Sequence, residues 1–170
     1  MSATGPRSRR SSRAAAAPTA PTSSGATGNR IQRNSIYDNT GLGVDLRGDG
    51  VTPNDPGDAD AGPNDLQNFP VLGSALVTGG TTTVSGSLDS TADTTFVIDF
   101  YASALCDPSG NGEGQTWFGS VTATTDASGS VSFSPTFGVT LTDGNAVTAL
   151  ATSPGNSTSE FSACVTARTP

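Results

Sequence analysis

The stretch TFVIDFYASALCDPSG, residues 95–110, carries apolar side chains at alternate positions, Phe96, Ile98 and Phe100, and then breaks into Cys-Asp-Pro-Ser-Gly. A period of two places those three side chains on one face of a strand, with Tyr101 on the opposite phase. Six further runs of strand character flank it, so that seven are expected in all: 69–76, 81–88, 95–102, 116–124, 130–137, 146–152 and 160–166. Alternation recurs in Trp117 and Val121, in Val131 and Phe133, and in Phe161, Ala163 and Val165. The intervening TGGT, DSTADT, DASGS, TDGN and SPGNST segments are turn-forming. No helical period competes, and the expected fold is all-β: a seven-stranded antiparallel sandwich of immunoglobulin or fibronectin type over 69–167.

Upstream the texture changes. GNRIQRNSIYDNTGLGVDL, residues 28–46, sets Ile31 and Ile36 among asparagines and then alternates Leu42, Val44 and Leu46. Short strands with asparagine corners predict one coil of a right-handed parallel β-helix over 29–48. A single coil cannot cover its own apolar face, so further coils are expected before it. Residues 49–68 are almost wholly turn formers and carboxylates and read as an acidic linker. Residues 1–28, with RSRRSSR and AAAAPTAPTSSG, are expected to be a disordered leader. They lack the apolar core of an export signal.

Charge is segregated along the chain. All eight basic residues are arginines, and six of them precede Asn34, whereas all fifteen acids lie from Asp38 onward. With Arg47 and Arg168 set against those fifteen, residues 34–170 carry a net charge of −13. Such a surface repels nucleic acid and anionic lipid and attracts cations. Neither histidine nor lysine is present, which removes the usual general base, the commonest zinc ligand and the Schiff-base nucleophile. No apolar run reaches the ~20 residues of a membrane span.

Three constellations are candidates for function. Asp45, Asp49, Asn54, Asp55, Asp58, Asp60, Asn64 and Asp65 offer the oxygen ligands that structural calcium requires, although the spacing is not that of an EF-hand. The alternative is an array of turns capped by its own side chains. Cys106 and Cys164 are the only thiols; with Cys164 on the outward phase of the last run, they suit a disulfide between loop and final strand, and two independent thiols are the other reading. Tyr101, expected at the surface, and Trp117, expected in the core with Val121, are candidates for stacking on a sugar ring.

The combination NDPGDAD (54–60), GPN (62–64), LQNFPVL (66–72), CDPSG (106–110), GEGQ (112–115) and SEFSAC (159–164) resembles the C-terminal region of bacterial right-handed parallel β-helix repeat proteins, including those with the CSLREA motif. The resemblance spans about residues 28 to 167 and implies a secreted or cell-surface protein. It further implies that any sugar-processing surface would lie on a solenoid preceding this region. The expected function is a non-catalytic structural or interaction module capping a β-helix. Its alternatives are a module that binds an extracellular or cell-wall glycan or protein, and a fragment of a polysaccharide lyase or hydrolase.

Overall fold

A computed structural model describes residues 25–170, so the expected leader lies, up to residue 24, outside the described residues. The protein is all-β, with no α-helix among those residues. Eight strands form: β1 (Val71–Thr78), β2 (Thr81–Asp89), β3 (Thr95–Ser103), β4 (Thr116–Thr124), β5 (Ser130–Phe133), β6 (Thr136–Phe137), β7 (Ala146–Thr152) and β8 (Val165–Arg168). They follow one hydrogen-bonded path, β4-β3-β7-β8-β1-β2-β5, with β6 also pairing β2. The path curls until β4 and β5, at its two ends, touch again.

Two features depart from the sequence expectation. The strands number eight, because Ser134 and Pro135 split the expected run 130–137 into β5 and β6. The sheet is mixed, because β8 pairs antiparallel with β7 but parallel with β1, at Ala75↔Ala167 and Leu76↔Arg168. This last strand starts at Val165 rather than near residue 160, and it is the seam between the two halves of the path.

The main core lies inside the curl. Leu72, Ala75 and Val77 from β1, Val84 from β2, Ile98 and Phe100 from β3, Phe133 from β5 and Val147 and Ala149 from β7 meet there. Phe100 stacks edge-on against Phe133 at 5.8 Å and packs on Phe137 at 5.3 Å. Gly119 on β4 makes room for Phe137: a Cβ at that position would lie 2.3 Å from its ring.

The expectation for Trp117 is overturned by a bulge. Phe100 pairs with Gly119, but Tyr101 pairs with Trp117, so Phe118 is an extra residue in β4. An extra residue reverses the phase of everything before it. Phe118 therefore joins the core, and Trp117 emerges at the surface, 37% exposed.

Tyr101 fails in the other sense. Its phase is as the sequence implies, on the face opposite Phe100, yet it is fully buried because that face is covered. Residues 29–46 lie across it, and Ile31, Ile36, Val44 and Leu46 pack with Tyr101, Leu150 and Phe161 into a second apolar cluster. Both faces of β3 and β7 are consequently buried, and all seven residues of β7 are inaccessible.

The stretch read as a β-helix coil contains no strand. Within 29–48 a lone antiparallel bridge joins Ile36 to Gly114, through Ile36 N–H to Gly114 O at 2.9 Å and the reverse at 3.0 Å. The physical reason is that its aliphatic side chains find an apolar sheet face to cover, and its backbone amides find side-chain acceptors in Tyr101 of β3 and in Glu113, Thr158 and Glu160 of the flanking segments. The turn-rich stretch after it holds only a short 3-10 turn, Pro63–Leu66.

Candidate functional site

Of the eight oxygen-bearing residues singled out from the sequence, the fold brings three together. One carboxylate oxygen each from Asp55, Asp58 and Asp60 lie within 4.8 Å of one another. Local hydrogen bonds set this arrangement. Asp58 Oδ1 accepts from Asn68 N at 2.9 Å, while its Oδ2 accepts from Ser90 Oγ and from Gln67 Nε2. Asp55 Oδ2 accepts from Ala59 N at 3.1 Å, and Asp55 N donates to Asn68 Oδ1. What remains is informative: Asp55 Oδ1 and Asp60 Oδ1 are shielded from solvent and have no hydrogen-bond partner. Buried carboxylate oxygens are normally paired or bound to a cation.

The other candidates serve the fold. Asn54 donates to Phe69 O and accepts from Phe69 N at 2.8 and 2.9 Å, imitating a strand partner just ahead of β1. Asn64, buried, accepts from Asn29 N and donates to Asn29 O and Thr158 O. Asp65 accepts from Ser157 Oγ. Asp45 caps its own turn by accepting from Gly48 N and Gly50 N. Asp49 is exposed and is not brought to the three. The acidic stretch is thus knitted to the strands at both ends.

Cys106 and Cys164 are joined by a disulfide with a Cα–Cα distance of 6.1 Å. Cys164 is half-buried, and Ala163, expected to point inward, is exposed.

On the covered sheet face, the Tyr101 hydroxyl accepts from Arg33 N at 2.8 Å. Burial pushes its ionisation well above the ordinary tyrosine range, so it stays a neutral acceptor. Beside it Asp99, whose side chain is 1% exposed, accepts from Trp117 Nε1 at 2.8 Å and lies 3.9 Å from Arg33 Nε. The Arg33 guanidinium sits over the Trp117 ring at 4.8 Å from its centre. Of the two stacking candidates, Trp117 alone reaches solvent, with one ring face already occupied.

Sequence reasoning passed over the two glutamates, which hold the N-terminal segment in place. Glu160, 2% exposed, accepts from Leu46 N at 2.9 Å, Thr52 N at 2.8 Å and Thr52 Oγ1 at 3.1 Å. Glu113, 7% exposed, accepts from Asn39 Nδ2 at 2.6 Å and Asn39 N at 3.3 Å. The available signal was their rarity: two glutamates among fifteen acids, one in GEGQ and one in SEFSAC. A longer carboxylate reaches backbone amides that aspartate cannot.

Burial raises the proton affinity of Asp58, Asp99 and Glu160 above the ordinary carboxylate range. The folded state therefore binds these protons more tightly than the unfolded chain, and stability falls as pH rises from about 4 through the raised values. Asp126, held low by the Ser128 hydroxyl and the Ser130 and Ser128 amides, acts oppositely, and its contribution is lost only as pH falls below that range. The urea midpoint is expected to rise as pH is lowered from neutral toward about 4. A midpoint falling steadily over that interval would contradict the assignment.

No protein-family model and no curated protein matches the chain. Among solved structures, a biofilm-associated protein, BSP domain, is similar at a TM-score of 0.39 and 19% identity. That match covers 64% of this chain, which spans 15% of the length of the other.

Proposed function

We propose that this chain is a non-catalytic structural and interaction module of a secreted or cell-surface bacterial protein. In this reading an immunoglobulin-like sandwich grips the segment that enters it. The strand path supports the sandwich: β5-β2-β1 on one side, β4-β3-β7-β8 on the other, with β1 and β8 as the parallel seam. A disulfide suits an oxidising, extracellular compartment. No described helix is long and apolar enough to cross a membrane. The chain has neither histidine nor lysine, which removes the usual general base near neutral pH and the Schiff-base nucleophile and leaves carboxylates and tyrosines as its proton-transfer groups.

One observation carries the proposal: residues 29–52 are fastened to the β3–β7 face by an apolar cluster and by both buried glutamates. A joint of that kind transmits orientation instead of behaving as a hinge, which is what an end piece or spacer on an elongated surface protein requires. Hydrogen exchange tests it. The amides of Arg33, Leu46 and Thr52 are expected to exchange at rates near those of β7. Exchange at unstructured-chain rates, or turnover of a polysaccharide by the purified protein, would end the proposal.

Calcium at Asp55, Asp58 and Asp60 is part of the same reading. Oxygen donors alone, converging on a turn with two shielded oxygens lacking partners, fit a hard divalent cation. The ion would brace the acidic stretch against the start of β1 and the end of β2. At millimolar calcium the expected stabilisation is roughly 1–3 kcal/mol, abolished by Asp55→Asn. Identical melting in calcium and in chelator would remove the ion from the account.

Glycan recognition is the second reading, and Trp117 is the observation that favours it. A sugar ring would take the place of the Arg33 guanidinium over the indole.

A further inference from the structure

A cleft of about 240 Å³ opens where residues 37–39 meet the loop 103–115. Its apolar walls are Tyr37, Leu105 and Pro108, and its acids are Asp38, Asp107 and Glu113. Leu105 is 82% exposed and adds apolar surface to the rim of the cleft. No arginine lines the cleft, and the ion pair formed among the described residues, Arg33 with Asp99, lies elsewhere. Glu113 is held by Asn39 and Asp107 by the Ser109 amide, while Asp38 is exposed, and no cationic side chain lines the cleft beside the three acids.

The cleft is built before any ligand arrives. Cys106, in its wall, is tied to Cys164. Asp107 N donates to Gly112 O at 3.0 Å, and Ser109 N donates to Asp107 Oδ1 at 2.8 Å. Asn111 Nδ2 reaches Phe161 O, and Cys164 N reaches Gly110 O, so the loop is pinned on its far side as well. A rigid loop loses little freedom on binding.

We infer that this cleft receives an arginine or lysine side chain presented by a partner polypeptide. The long aliphatic stem packs on Leu105 and Tyr37 while the cationic head meets Asp38 at the rim, with Asp107 and Glu113 adding negative charge to the wall. Charge and shape together select this occupant. An anionic ligand is repelled by three carboxylates. A bare metal ion has no cluster of three carboxylates to hold it here, because among the described residues that grouping is Asp55, Asp58 and Asp60. Nothing in this inference depends on whether the module is otherwise structural.

The test is a titration of the isotope-labelled full chain, followed by amide chemical shifts. The probes are the capped tripeptides Gly-Arg-Gly and Gly-Lys-Gly, neutral Gly-citrulline-Gly, and maltotriose. Saturable shifts at Tyr37, Asn39, Leu105 and Gln115 are expected with the two cationic peptides and not with the citrulline peptide. Asp38→Asn combined with Leu105→Ser should weaken binding at least about tenfold, whereas Asp93→Asn, an exposed acid outside the cleft, should leave it unchanged. The inference is overturned by unchanged affinity in the double variant, by equal response to citrulline, or by unsaturated shifts spread over the acidic surface. Shifts at the cleft with maltotriose alone would reassign it to a sugar.

Discussion

Glu160→Ala is expected to destabilise the protein by about 4 kcal/mol and to free residues 45–52 from the sheet face. The variant leaves three donors, Leu46 N, Thr52 N and Thr52 Oγ1, without an acceptor in a region where the carboxylate is 2% exposed. Each stranded buried donor costs about 1–3 kcal/mol, less where water can enter the space left by the side chain. The cost of burying the carboxylate, visible in its raised proton affinity, is recovered at the same time and reduces the net loss. Three stranded donors outweigh that one recovered cost. Glu160→Gln keeps one acceptor oxygen but turns an amide NH2 toward a donor, so an intermediate loss of about 2 kcal/mol is expected. Urea denaturation measures both, and loss of exchange protection at Leu46 and Thr52 in excess of that in β7 would locate the effect. A change below about 0.5 kcal/mol in the alanine variant would mean that the clamp is dispensable.

The central strands were legible because their code is local. Alternation in 95–102 predicts β3 to within a residue, and 116–124 and 146–152 coincide with β4 and β7. Each has a face that must be apolar whatever its neighbours do. What could not be read was anything depending on an inserted residue or on a second layer. Phe118 is apolar, like Trp117, so nothing in the pattern says which of the two is the extra residue, and the phase of Trp117 came out reversed. Tyr101 was placed on the correct face, but its burial depends on Ile31, Ile36 and Val44, about 60 residues upstream, closing over it.

The acidic stretch shows the same division. Its glycines, prolines and asparagines announce turns, and turns they are. Yet Asn54 and Asn64 bond Phe69, Asn29 and Thr158, across separations of up to 94 residues, and no spacing rule reaches that far. Three of the proposed metal ligands converge because Asn68 and Ser90 hold Asp58 in place, and only Asn68 is near it in sequence. A β-helix coil was expected over 29–48 because stacked aliphatics between asparagines imply a covered apolar face. The face is indeed covered, but by β3 and β7 instead of by another coil.

Removal of the disulfide should have an effect as large as that of the glutamate, by a different route. Cys106 and Cys164 are 58 residues apart, and in the chain-entropy account a closure of that length contributes about 4 kcal/mol by restricting the unfolded chain. The native-state side points the same way. Cys164 stands directly before β8, a strand of four residues with two pairs to β7 and two to β1. A seam so short has few hydrogen bonds of its own, and it is the element through which the two halves of the path communicate. The Cys106→Ser, Cys164→Ser variant is expected to melt about 10 °C lower, and the wild-type protein in reductant should match it. Because Cys106 also forms part of the cleft wall, the variant at a temperature where it remains folded should bind the cationic tripeptides more weakly than the oxidised protein does. Equal melting of the oxidised, reduced and serine forms would mean that Ala167, buried between β1 and β7, closes the seam by packing alone, and that the staple restrains only the loop.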